Sequence, residues 1–329
     1  MKESVAVVGA GMSGLVAARA LAESGYGVRL FDKARGPGGR MATRRGEDGL
    51  FDHGAQYFTA RDPRFRARVD AWLQEGVVQA WDGRFGAAAA GEVRIKPSTE
   101  KRYVGAPRMS ALTRHMAVDL DIAYETRVGG LERAGDRWRL HDDRGGGLGT
   151  YDVVLVALPP GQAADLVRLS PLLLRQVEAV RMRPCWAAMA LFERPVPLEA
   201  DGVFINEGPL SWAARDSSKP GRAPGERWVL HGEPAWSEAH LEEEAGAVAS
   251  ILVDGFFSAV GIARPAQVQV QAHRWRYALA AEPLAVGCLW DGEARLGCCG
   301  DWCHKSRVEG AFLSGLAVAQ KVKASYFRQ

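Results

Sequence analysis

The sequence predicts an α/β fold in which a doubly wound parallel sheet is interrupted by an inserted domain of mixed β-sheet and helix. Three observations carry the prediction. Near the start, the apolar run Val5-Ala6-Val7-Val8 leads through closely spaced glycines into a helix-periodic stretch. Half way along, Tyr151 to Leu158 reads as another buried strand, closed by Pro159-Pro160. Towards the end, Arg295 to Cys299 reads as a strand and is followed by a helix to about Ser325. Continuous apolar runs of this length fit parallel strands covered on both faces. The reading assigns 1–75, 106–165 and 286–329 to one domain and 76–105 and 166–285 to the insertion.

Composition bounds the rest. The 329 residues are 47% hydrophobic and 25% charged, which is ample for a buried core. Lysine and arginine number 42 against 39 acids. That balance calls for no nucleic-acid partner, although local clusters can still take anions. The five cysteines, Cys185, Cys288, Cys298, Cys299 and Cys303, are odd in number and irregular in spacing, so no disulfide framework is expected. Reduced thiols in a cytoplasmic protein are the expectation. The opening Met1 to Ser4 leads into an apolar run too short for a secretory signal. No stretch approaches the roughly 18 apolar residues of a spanning helix, so no membrane partner is expected. Arg144 to Gly149 and Ser217 to Gly225 read as polar, flexible connections.

The first elements define a ligand. Gly9-Ala10-Gly11-Met12-Ser13-Gly14 follows the first strand, and Leu15, Ala18, Leu21 and Ala22 continue at helical spacing. Val28 to Phe31 is a second strand, closed by Asp32. Gly9 permits the tight turn, Gly11 lets a pyrophosphate approach the backbone, and Gly14 lets helix and strand pack closely. The helix start, at Met12 and Ser13, offers free N–H groups and partial positive charge to phosphates. Asp32, roughly 20 residues on, accepts from ribose hydroxyls. Together these specify a dinucleotide site.

A second glycine-rich, basic loop follows at once: Lys33-Ala34-Arg35-Gly36-Pro37-Gly38-Gly39-Arg40. The segment Phe51-Asp52-His53-Gly54-Ala55-Gln56-Tyr57-Phe58-Thr59 comes next, then an alternating run, Tyr124 to Leu131, around Val128. Gly300-Asp301-Trp302 precedes Arg307-Val308-Glu309-Gly310-Ala311 near the far end. In these motifs the chain resembles the FAD oxidoreductases related to monoamine oxidases. The resemblance implies a glutathione-reductase-like FAD domain. It places Lys33, Gly39 and Arg40 by the pyrophosphate, and Ala55, Gln56 and Thr59 along the flavin ring. It places Val128 at the adenine, and Gly300 and Asp301 at the ribityl chain and phosphate. Val308, Glu309 and Ala311 then start a helix aimed at the flavin O2, where negative charge gathers on reduction. An NAD dehydrogenase has no reason to carry this second site. No residue matches a covalent attachment motif, so the FAD is expected to be non-covalent.

Longer segments, Phe31 to Arg40, Asp52 to Asp62, Met182 to Pro195, Ser217 to Pro220, Trp228 to His231, His273 to Tyr277 and Gly300 to Gly315, are similar to the bacterial renalases. That resemblance implies an oxidase of 2-dihydro- and 6-dihydro-NAD(P), giving NAD(P)+ with O2 reduced to hydrogen peroxide. One departure is Arg108, which stands where relatives commonly carry glycine in Val104 to Ser110.

The residues suit such chemistry. A dihydropyridine loses hydride and no proton, so the protein must orient the ring and needs no base at the carbon. The middle of the chain offers Trp186, Trp212, Trp228, Trp236 and Trp275 with His231, His273 and Tyr277, and no triad or carboxylate pair. Strand aromatics and histidines are more often core. His231 and Trp275 are nevertheless singled out as substrate-side candidates, with Gln56 and Thr59, because their strands belong to the sheet that covers the flavin in relatives.

Other constellations carry less. Cys298-Cys299 with Cys303-His304 groups soft ligands, yet adjacent strand residues face opposite ways, so no metal is expected. Glu242-Glu243-Glu244 is read as opening a helix from about Glu238 to Val260. Arg64, Arg66 and Arg68 are read as coating an exposed helix. Lys96, Lys101 and Arg102 are read as a solvated face, with substrate phosphates the alternative. Amine oxidases of this fold use an aromatic cage and a lysine that holds water near flavin N5. Lys219 falls in a polar loop and Lys305 follows the ribityl motif, so neither is given that role. An amine oxidase or desaturase remains the alternative reading, and a flavin-binding regulator without turnover the remote one. Oligomeric state is not specified.

Overall fold

The computed structural model describes residues 3–46 and 49–326. Met1 and Lys2, part of the opening read above, lie outside them. The first strand, Ser4–Val8, sits inside a six-stranded sheet. The strand order is Leu289–Asp291, Leu296–Cys298, Val153–Val156, Ser4–Val8, Gly27–Phe31, Asp121–Ala123. All neighbours run parallel except the edge strand Leu289–Asp291. Successive residues of Ser4–Val8 feed opposite layers, as the period of two requires. Val5 and Val7 join the core under helices Met12–Ala22 and Val308–Tyr326. Ala6 and Val8 join a second core with Trp138, Leu140 and the helices Pro160–Val167 and Pro171–Glu178. Burial on both faces is why these strands read as continuous apolar runs.

The second sheet has seven strands, in the order Val268–Ala280, Met182–Phe192, Glu226–Gly232, Leu210–Arg215, Gly202–Ile205, Phe85–Ala89, Glu92–Ile95. It is mixed, because Gly202–Ile205 and Phe85–Ala89 pair in parallel while the others are antiparallel. Helix Ala245–Val260 covers one face, packing on Trp186, Ala188, Ala190, Trp228 and Leu230. The alternate residues look the other way, towards the first domain's loops. The α/β architecture with a sheet-rich second part is thus present.

Four local expectations are corrected. Tyr124 and Glu125 form a turn and the strand begins only at Val128, because Thr126 and Glu125 bond back to Asp32 and Ala34. The helix read from Glu238 to Val260 is two helices, Pro234–Ala239 and Ala245–Val260. Glu242 is drawn out between them by ion pairs to Arg274 and Arg276 at 2.8 and 2.6 Å. Ser217 to Gly225 is not a free connection, since its charges are consumed internally, as described below. Arg108, where relatives commonly carry glycine, has φ −160°, ordinary extended geometry, and occupies the N-cap position of helix Met109–Ala117 without a side-chain capping bond. Arg64 and Arg66 are exposed on helix Pro63–Gln74, while Arg68 lies over the Trp72 ring at 5.2 Å.

Candidate active site

The glycine turn closes as its spacing demands. Gly9 has φ +108°, which favours glycine, and a Cβ on Gly14 would stand 1.9 Å from the Gly9 carbonyl oxygen. Asp32 holds the turn, accepting from the N–H of Ala10 at 2.7 Å and of Ala34 at 2.8 Å. Gly11 begins helix Met12–Ala22 with no side chain capping it, so the first-turn N–H groups at Met12, Ser13 and Gly14 are offered outward. A Cβ on Gly11 would meet open space, and one on Gly39 would reach only the Gly11 Cα, at 3.7 Å. The two glycine loops thus pack on each other, Gly38 donating its N–H to the Ala10 carbonyl at 2.9 Å, with the uncapped donors of the helix start beside them. Uncapped donors at a helix start are suited to anions.

Cations and acids from distant parts of the chain meet beside these loops. Arg40 pairs with Asp301 at 2.5 Å and also donates to the Ala278 carbonyl. Gly300 donates its N–H to the Ser314 hydroxyl at 2.9 Å. Lys33 is exposed, 3.5 Å from Gln162. Val128 is buried with Phe31 and Tyr151. Val308 and Ala311 lie half-buried in the first turn of the last helix. Glu309 turns elsewhere, accepting the N–H groups of Arg61 and Asp62 at 2.6 and 2.8 Å. It ties that helix to the segment after Thr59.

The segment from Asp52 to Thr59 runs between the two sheets. Ala55 donates to the Arg40 carbonyl at 2.9 Å, and a Cβ on Gly54 would strike that oxygen at 2.0 Å. The His53 carbonyl meets both sequence-nominated residues of the second sheet, Trp275 Nε1 at 3.0 Å and His231 Nε2 at 3.2 Å. Strand register explains the convergence. Trp212 pairs with His231, His231 with Ala187, and Ala187 with His273, a row across four strands on one face. The small Ala187 leaves room in that row. The His53 ring lies 4.8 Å from both His273 and Trp275. Thr59 is half-buried at the end of the segment.

These imidazoles are held neutral. Burial first, then the charges of His273 and Arg44, push His53 down to about 3. Burial pushes His231 down to about 4 against its bond to the His53 carbonyl. Burial and Arg44 lower His273 as well. The remaining tryptophans divide by face: Trp228 packs on Phe256, Trp186 donates to His240, and Trp236 stacks on His240, all on the helix side.

Gln56 leads to a group that sequence reasoning missed. Its amide nitrogen donates to the carbonyls of Asp52 and Gly54, and its oxygen accepts from Lys219 Nζ at 3.0 Å. Lys219 is fully enclosed and pairs with Asp216 at 2.6 Å. Arg222 pairs with Asp52, which also accepts from Thr43 and the Met109 N–H. Two buried acids thus meet two buried cations. Burial works to raise Asp52, but Lys219, Arg222 and Thr43 outweigh it and hold that carboxyl below its usual range. Burial keeps Asp216 raised, with Lys219 opposing. Lys219 does lie in a loop, just after the short turn Asp216–Ser218, but is buried rather than solvated; Lys305, by contrast, is exposed. Asp216 and Arg222 flank the quoted Ser217 to Pro220 segment, so the signal lay beside it.

An aromatic group adjoins Gln56. Tyr57 lies 5.6 Å from Trp212, 6.3 Å from Trp81 and 6.5 Å from Phe85. Lys96 and Lys101 are exposed as expected, but Arg102 is not: it is 8% exposed against this group.

Comparison with known proteins agrees with this geometry. Residues 7–72 match the model of an NAD(P)-binding Rossmann-like domain, and residues 72–323 that of the flavin containing amine oxidoreductases. The chain belongs to the flavin-containing amine oxidoreductase family, and its cofactor is accordingly a flavin, FAD. Its fold is similar to that of a protein from Exiguobacterium sp. 255-15 provisionally assigned as a protoporphyrinogen oxidase, with TM-score 0.78, 13% identity, and 98% and 99% of the two chains covered. It is also similar to putrescine oxidase bound to putrescine, with TM-score 0.71, 13% identity and the same coverage. A 4-hydroxybenzoate brominase (decarboxylating) of Marinomonas mediterranea is 26% identical over 161 residues, 47% of this chain. The match spans only 26% of that longer protein. Among the described residues no helix is long and apolar enough to cross a membrane, and no group of three or more metal-ligating side chains is assembled.

Proposed function

We propose that this chain is an oxidase of isomeric dihydronicotinamides, 2-dihydro- and 6-dihydro-NAD(P), with FAD held non-covalently. When bound, FAD supplies the hydride acceptor at N5 and, once reduced, the two electrons that convert O2 to hydrogen peroxide. The observation that carries the reading is the neutral wall made by His53, His231, His273 and Trp275. The carboxylates beside it, Asp52 and Asp216, are committed to Arg222 and Lys219. The carboxylates are tied up, and the lowered imidazoles are unprotonated but only weakly basic, which suits a substrate whose ring becomes pyridinium without losing a proton. Gly9, Gly11, Met12, Ser13, Gly14, Gly39 and Arg40 would hold the pyrophosphate and Asp32 the ribose. Gly300, Asp301, Val308 and Ala311 would hold the flavin end, with Val128 by the adenine. His231 and Trp275 set the position of the His53-Gly54 backbone, and with it that of Ala55. Gln56, pinned by Lys219, fixes the opposite side, and Thr59 lies at the end of that segment. The partition of the chain at 75, 105, 165 and 285 belongs to this proposal. So does a reducing, cytoplasmic setting, which suits five free cysteines.

One observation favours the family's other chemistry, oxidation of amines: a lysine, Lys219, is buried beside Gln56 within 5.5 Å of the Trp81 ring. Anaerobic mixing with 2-dihydro-NAD, NADH and benzylamine, followed by flavin absorbance, separates the two. Bleaching by the dihydro isomer with NAD+ as product is the expected result. Bleaching by benzylamine alone transfers the assignment to amine oxidation. Release of the flavin on acid precipitation checks the non-covalent bond.

A further inference from the structure

Among the described residues, Arg102 is a buried cation without a counter-charge. Its guanidinium carbon lies 3.9 Å from the Phe85 ring centre and 5.2 Å from that of Tyr57. Its one side-chain bond is Nη1 to the Ser98 hydroxyl at 3.3 Å, and its buried Nε has no partner. The acid nearest in sequence, Glu100, is taken by Arg61 at 2.5 Å. The other buried cations of the region are treated differently. Lys219 sits on Asp216, Arg222 on Asp52, and Arg215 on both Asp201 and Glu226. Arginine cannot shed its proton, and an uncompensated buried charge is costly. The two rings offset part of that cost. They also hold the guanidinium plane fixed, with Nε enclosed behind them and Nη2 left unpaired on the outer edge.

The location ties this edge to the active site. Trp212, on the row with His231, is one ring contact from Tyr57, and Tyr57 is one contact from Arg102. Exposed Lys96 and Lys101 stand on the same segment and make the approach basic. We propose that Arg102 is the anion-recognising residue of the substrate site and receives a phosphoryl oxygen of the dinucleotide whose ring is oxidised. The identity of that substrate rests on the function proposed above; the anion site itself does not. The planar fork of arginine suits two phosphoryl oxygens at once, and binding supplies the charge that folding left out.

The test uses the FAD-loaded enzyme with Arg102→Gln and Arg102→Lys. KM and kcat are measured with 2-dihydro-NAD and with the uncharged 2-dihydronicotinamide riboside, and calorimetry measures binding of inorganic pyrophosphate. The expected result for Arg102→Gln is a KM for the dinucleotide raised roughly tenfold or more, with kcat and the riboside constants unchanged. Pyrophosphate binding is lost, and Arg102→Lys recovers part of both. Equal losses with riboside and dinucleotide, or none with either, overturn the proposal, as does parental enzyme that fails to bind pyrophosphate. If the parent binds pyrophosphate through Arg102 but neither substrate bleaches the flavin, the anion site stands and the dihydronicotinamide reading falls. Flavin spectra matching the parent and a melting temperature no lower than its exclude a folding defect, and Arg102→Lys, which keeps the cation, carries the test should Arg102→Gln misfold.

Discussion

Replacing Lys219 by methionine keeps the volume and removes the charge, leaving Asp216 buried with only the Asp52 N–H, at 3.4 Å, to serve it. The pair is 2.6 Å apart and wholly enclosed, so at an effective dielectric of about 20 its attraction is about 6 kcal/mol. Much of that is offset by desolvation of the two ions in the parent. Stranding one member of a buried pair nonetheless costs about 3–5 kcal/mol. Urea unfolding of FAD-loaded protein, followed by tryptophan fluorescence at pH 8, should show a loss of that size for Lys219→Met. The double variant Lys219→Met/Asp216→Asn should recover at least about 2 kcal/mol, because the uncompensated charge is gone. The sign with pH is also set. Burial and Asp52 already raise Asp216 above 3.8, and Lys219 is the chief opposing charge. In the single variant its folded value rises further, so stability falls as pH rises and the gap to the parent narrows as pH drops towards 3.8. A single variant within about 1 kcal/mol of the parent, or a gap that does not change with pH, would refute the argument that these ions compensate one another.

Three further outcomes follow from the geometry. Gly14→Ala places a Cβ 1.9 Å from the Gly9 carbonyl and Gly54→Ala one 2.0 Å from that of Arg40, so both proteins should purify without yellow colour, as read by absorbance at the flavin band. Asp32→Ala removes the acceptor of the Ala10 and Ala34 N–H groups and should weaken FAD binding by roughly tenfold or more in fluorescence titration. His53 and His231 are held at about 3 and about 4, below the ordinary 6.5. Their stability contribution is present above 6.5 and is lost as pH falls towards those values, about 2 kcal/mol each at pH 5; His231→Asn should flatten that acid limb in pH-dependent unfolding.

What could be read from sequence depended on whether a job is local. The cofactor turn is local: Gly9, Gly14 and Asp32 act on groups a few residues away or on the next strand, so spacing alone gives their roles. The covered parallel strands are legible for the same reason, since burial on both faces shows in the residues themselves. Asp52, Asp216, Lys219 and Arg222 are different. Each is a common surface residue type, and only tertiary pairing across |i−j| = 170 for Arg222 and Asp52 takes it inside. Arg102 was read as solvated beside Lys96 and Lys101 because its covering rings, Tyr57 and Phe85, come from other segments. The split of the 238–260 helix has the same origin, as two arginines on a neighbouring strand outbid helix continuity at Glu242.

The Arg40–Asp301 pair joins residues 261 positions apart, and strand Leu296–Cys298 enters the sheet beside Val153–Val156. A growing polypeptide therefore carries its glycine turn long before its far end has been made. The pairing of Arg40 with Asp301 can form only once residue 301 has been made. Colour per chain then reports the fraction that has completed long-range assembly. An expression culture short of riboflavin should accumulate protein that is folded in parts but open at the seam between its two ends.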